Sequence, residues 1–80
     1  MTDAIRSEVI AIVAGIAELP VEEVRADAML RELGIDSFGG LRIVADVERR
    51  YRIFIPEAEI VKIQSMQDIL ALVERLAPPE

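Results

Sequence analysis

Ile5, Val9, Ile12, Val13, Ile16 and Leu19 recur at helical spacing near the start of the chain, and Pro20 then ends the pattern. Such a stripe must be covered by other parts of the same chain, because a helix of this length draws most of its stability from burying an apolar face. Eighty residues suffice for one small domain with a single modest core. The spacing predicts a helix over residues 3 to 18, with Thr2 or Asp3 able to cap its start.

Further helices should cover that stripe. Val21 to Ile35 carries short apolar pieces (Val21, Val24, Met29, Leu30, Leu33) without a sustained period. It reads as a long ordered loop with one helical turn around Met29 to Leu33, and loops this long in small domains are often functional. A second helix is expected from Ser37 to Arg52, capped by Asp36, before Ile53-Phe54-Ile55 is forced into extended backbone ahead of Pro56. Pro56 suits the first turn of a short third helix ending near Val61. Ser65-Met66-Gln67-Asp68 has the spacing of a capping box and opens a last helix. There Ile69, Leu70, Leu72, Val73 and Leu76 supply the buried face, and Pro78-Pro79 supplies the stop. The expected fold is an all-α four-helix bundle with a long first loop and a short third helix, spanning residues 1–80 as a single domain without repeats or low-complexity segments.

Composition removes most reaction chemistry. The chain has no cysteine and no histidine, hence no thiol of its own, no imidazole base and no usual soft metal ligand. No metal site is expected, and neither is an independent enzyme, since no nucleophile is paired with a base. A net charge of −6 and a pI near 4.6 argue against nonspecific binding to nucleic acid or anionic membrane. No stretch approaches the roughly 18 apolar residues that span a bilayer. Without disulfide-forming residues, a cytosolic monomer is the simplest expectation. What remains is a serine hydroxyl, Ser37, where a turn becomes a helix. Its setting fits plain helix capping by Asp36, the commoner use of such a pair, and it also offers an attachment point for imported chemistry. A helix N-terminus has unpaired N–H groups and partial positive charge, which favour a phosphodiester.

Leu33-Gly34-Ile35-Asp36-Ser37, an apolar helix ending in Tyr51, Ile55-Pro56, the Ser65 cap and a final amphipathic helix together resemble the acyl carrier protein family over nearly the whole chain. The resemblance implies that a phosphopantetheinyl transferase attaches 4′-phosphopantetheine to Ser37, and that Asp36 helps that enzyme recognise the site. Without histidine or cysteine nearby, the base for attachment must come from the transferase. Gly34 is either a turn residue needing positive φ or a point of close partner approach. The implied function is that of a freestanding carrier. It would hold acyl intermediates as thioesters and deliver them to acyl-transferring or acyl-modifying enzymes of fatty-acid, polyketide or specialised lipid synthesis. The alternatives are a peptidyl or aminoacyl carrier, to which Leu-Gly-x-Asp-Ser is less similar, and an unmodified helical interaction domain.

The second helix sorts into faces at about 100° per residue. Ile43, Val47, Tyr51 and Phe54, with Val44 at the edge, should face the core, whereas Phe38, Leu41 and Ala45 form a second apolar stripe beside Ser37. That stripe either packs on the long loop or docks partner enzymes. Members of the family commonly carry acids along this helix, but this chain has Gly39, Gly40, Arg42, Arg49 and Arg50. From Ser37 to Arg52 the net charge is +2, leaving −8 for the remainder. The expected docking set is Phe38, Gly39, Gly40, Leu41, Arg42, Ala45, Glu48 and Arg49, facing neutral or acidic partner surfaces, unless the charges are simply a solvated face with local pairs. Two glycines in a first helical turn cost about 1 kcal/mol each relative to alanine. They either permit close approach of the arm or a partner, or move the helix start downstream. For shelter of the acyl chain the resemblance points to Val44, Val47, Ile60, Ile63 and Met66, which could equally be ordinary core.

Overall fold

The computed structural model describes residues 3–77. Four helices follow one another: α1 (Asp3–Ala17), α2 (Ser37–Tyr51), the single-turn α3 (Glu57–Ile60) and α4 (Met66–Leu76). α1 packs against both α2 and α4. Val9, Val13 and Ala14 are buried at its centre, and Ile5, Ile12, Ile16 and Leu19 pack half-buried around them. α1 ends where Glu18 turns into the left-handed region at φ 57°, and the Leu19 amide donates back to the Ala14 carbonyl at 3.0 Å. Thr2, the side chain of Asp3 and the Pro78-Pro79 stop fall outside the described residues.

The loop between α1 and α2 has two 3₁₀ turns, Val21–Glu23 and Leu30–Leu33. The second falls where a helical turn was expected; the first had no periodic signal. Val24, Leu30 and Ile35 anchor the loop by burial. It is also fastened to the α3–α4 connection, because Leu30 donates to the Gln64 carbonyl and Met66 to the Ala28 carbonyl, each at 3.0 Å around an isolated bridge between Met29 and Ser65. These bonds satisfy backbone groups that a long irregular segment would otherwise leave unpaired.

α4 starts on the expected capping box. The Ser65 hydroxyl accepts from the Asp68 amide at 3.1 Å, and the Asp68 carboxylate accepts from the amides of Ser65 at 3.1 Å and Gln64 at 2.9 Å. Ile69, Leu70, Leu72 and Val73 are buried, as the spacing predicts, and Leu76 is half-buried.

Three details of the expected fold are corrected. Arg52 is not helical: it caps α2 in the left-handed conformation at φ 55°. Phe54 is not core, being 75% exposed. With the helix ended at Tyr51, residues 53 to 55 belong to no helix and their burial alternates: Ile53 is half-buried, Phe54 exposed and Ile55 buried. Pro56 precedes α3 as its N-cap instead of lying in its first turn.

Candidate functional site

The approach to Ser37 is rigidly defined. Gly34 terminates the second 3₁₀ turn at φ 79°, a left-handed conformation that glycine adopts without strain, and a Cβ there would meet open space. Ile35 then dips into the core, its amide donating to the Leu30 carbonyl at 3.1 Å. Asp36 is the N-cap of α2: its carboxylate accepts from the Gly39 amide at 2.8 Å, and its carbonyl accepts from the Gly40 amide at 2.9 Å. Ser37 is the first helical residue. It is exposed, and among the described residues its hydroxyl has no hydrogen-bond partner.

Ser37 also lines the rim of a cavity of about 620 Å³. One wall is α2, through Gly40, Leu41 and Val44; the loop contributes Met29, Leu30, Arg31 and Ile35; α3 and the segment after it contribute Ile60, Val61, Ile63 and Gln64. Of the shelter residues expected from sequence, Val44, Ile60 and Ile63 meet here. Val47 and Met66 do not: each is fully buried core away from the lining. Met29, Arg31 and Gln64 were not anticipated. The length of the loop marked it as functional, but which of its residues border the cavity depends on the backbone bonds between residues 28–30 and 64–66, and these leave no trace in the periodicity.

The phosphopantetheine attachment site family matches residues 7–73 of the chain. The acyl carrier protein of Streptomyces coelicolor is 34% identical over 70 residues, an alignment covering 85% of this chain and 76% of that protein. The chain belongs to the acyl carrier protein family. Members are non-catalytic carriers with a phosphopantetheine arm, so 4′-phosphopantetheine is the expected prosthetic group. The 3-methylorcinaldehyde synthase of Sarocladium schorii is 33% identical over 63 residues, which cover 79% of this chain. The chain spans only 2–3% of the length of that synthase and of the other polyketide synthases it matches. The fold is likewise that of the acyl carrier protein of Thermotoga maritima, with a TM-score of 0.78 at 24% identity over 90% of this chain and 85% of that one.

Around Ser37 of this carrier, the second helix separates into residues with internal roles and residues left to solvent. Phe38 is 78% exposed and Leu41 54% exposed, so this stripe does not pack beneath the loop. Leu41 borders the cavity as well. Arg42 and Ala45 are exposed, and among the described residues no ion pair reaches Arg42. Arg49 pairs with Asp46 one turn earlier. Arg50 pairs with Glu8 of α1 and lies over the Tyr51 ring, 5.5 Å from its centroid, while the Tyr51 hydroxyl donates to the same Glu8 carboxylate at 2.9 Å.

Two members of the expected docking set have structural uses. The half-buried Glu48 carboxylate accepts from the Ile55 amide at 2.8 Å, tying the end of α2 to the segment that follows it. Gly39 faces inward: a Cβ there would lie 2.9 Å from Ile35 Cγ2 and 3.7 Å from Ile16 Cγ2. Gly40 differs, since a Cβ there would meet nothing within 4 Å. The glycine pair does not delay the helix, which starts at Ser37.

Proposed function

We propose that Ser37 bears the arm and that the cavity beside it shelters the acyl cargo. The observation that carries this reading is the coincidence of an exposed serine hydroxyl at the start of α2, without a partner among the described residues, with the rim of a largely apolar cavity. The site suits the group. The first turn of α2 offers the positive end of a helix to a phosphodiester, Asp36 holds that turn in place, and Gly40 leaves the rim beside Ser37 free of side-chain bulk. The arm supplies a thiol able to hold acyl groups as thioesters, and a chain without cysteine has no other thiol to compete for them. Val44, Ile60 and Ile63 give the cargo an apolar wall, and Asp36 is the residue a transferase meets next to the reacting hydroxyl.

Polyketide-type intermediates are the cargo we favour within the acyl class. The polyketide synthases among the relatives support this, as does a cavity wall that includes Arg31 and Gln64, which can donate hydrogen bonds to cargo oxygens. Partner enzymes would meet Phe38, Leu41, Arg42 and Ala45 with a neutral or acidic surface, because like charges across an interface reject wrong partners strongly. The deciding experiment is intact-protein mass spectrometry after coexpression with a broad-specificity phosphopantetheinyl transferase. A gain of one phosphopantetheinyl group, absent in Ser37→Ala, is expected. A gain that persists in Ser37→Ala, or no gain with several transferases, refutes the assignment.

A further inference from the structure

A second concavity of about 310 Å³ lies between α3 and α4, floored by Ala71 and Leu72 and edged by charges that include the Glu59–Arg75 ion pair at 3.3 Å. It does not reach Ser37. One residue, the half-buried Ile63, lines both this groove and the cavity beneath Ser37, so at that point the wall between them is a single side chain thick. Ile63 sits between the single-turn α3 and the fastened residues 64–66, so the part of the wall able to yield there is its side chain. The loop side of the cavity is fastened by the backbone bonds between residues 28–30 and 64–66, and Val44 is held on a long helix. α3, by contrast, is one turn with no buried residue, and the Glu59–Arg75 pair joining it to α4 sets a half-buried carboxylate against an exposed guanidinium, a partly solvated contact of modest worth.

We propose that Ile63 sets the length of cargo this carrier can shelter. An apolar chain attached through Ser37 fills the cavity until its end meets Ile63; a longer chain must displace that side chain into the α3–α4 groove or leave its end in water. The proposal rests on Ser37 as the attachment site. Burying one further methylene favours the sheltered state about fourfold, so the limit is read as a break in a series of chain lengths.

The test loads the protein from acyl-coenzyme A thioesters running from butyryl to palmitoyl with a broad-specificity transferase, then measures thioester cleavage by hydroxylamine. In the wild type, protection should rise with chain length and level off. Ile63→Ala should move the break to longer chains and Ile63→Phe to shorter ones. Ala71→Phe, which fills the groove from α4, should cancel the gain of Ile63→Ala while leaving the wild-type break in place. Ile63→Val, a smaller excision, should shift the break in the same direction as Ile63→Ala if the alanine variant proves unstable. The same break in all Ile63 variants overturns the proposal, as does a gain in Ile63→Ala that Ala71→Phe leaves intact. Failure to load at Ser37, read from the mass of the butyryl form, would refute the attachment site itself. Loading without any length-dependent protection refutes the length limit alone.

Discussion

Gly39 and Gly40 are neighbours in the chain with opposite constraints. Both forgo the backbone restriction that alanine would bring to a helix, at about 1 kcal/mol each. At Gly40 nothing stands within 4 Å of an added Cβ, so Gly40→Ala should stabilise the protein by up to that amount, raising Tm by about 4–8 °C per kcal/mol in a domain of this size. At Gly39 the same methyl lies 2.9 Å from Ile35 Cγ2, which sits on a β-branched, buried side chain with little room to yield. Overpacking costs about 1–3 kcal/mol, so Gly39→Ala should be neutral to destabilising despite its better helix propensity. Thermal unfolding of the two variants side by side checks this ordering. The distinction was illegible in the sequence, where Gly39-Gly40 reads as one feature. It takes the burial of Ile35 and the position of Ile16 on another helix to separate a packing glycine from one bordering the cavity.

At the scale of elements, what could be read from sequence is what local chemistry dictates. The apolar stripe of α1, the Asp36 cap, the Ser65-to-Asp68 box and the break at Ile55-Pro56 each involve residues within a turn or two of one another, and each recurs in the fold. Phe54 escaped because a helical wheel drawn through Arg52 assigns it to the wrong period; once Arg52 takes the left-handed cap, alternation governs and Phe54 faces water. Glu48 escaped for a related reason. Its role, accepting from the Ile55 amide, exists only because the chain reverses direction after the helix. Removing that acceptor beside buried Ile55 should cost about 1–3 kcal/mol, so Glu48→Ala should lower the midpoint of denaturant unfolding while Glu48→Gln, which retains a side-chain oxygen, recovers most of the loss. A change within about 0.5 kcal/mol for the alanine variant would instead return Glu48 to the solvated surface.

Across the whole molecule the charges are divided: the segment from Ser37 to Arg52, α2 with its cap, is at net +2 and is carried by a remainder at −8. Much of the basic excess is already engaged, with Arg49 on Asp46 and Arg50 on Glu8, so the number of arginines overstates what a partner would meet. Arg42 and Arg52 are the exceptions, both exposed and without an ion pair among the described residues, and Arg42 is the one that stands one turn beyond Phe38. A guanidinium placed there can accept a carboxylate from an approaching enzyme in bidentate fashion, and it repels an enzyme that offers arginine or lysine. Arg42→Glu should therefore slow acyl transfer to a partner with an acidic docking surface and speed transfer to an enzyme that normally uses acidic carriers. Both effects should be largest at low ionic strength and fade as salt shortens the screening length to about 8 Å near 0.15 M. Stability should hardly change, since the substituted side chain forms no ion pair among the described residues, so unfolding measurements on the same samples separate a docking effect from a folding one. Equal rates for wild type and Arg42→Glu with both kinds of enzyme at low salt would mean that the positive face of α2 has no part in choosing partners.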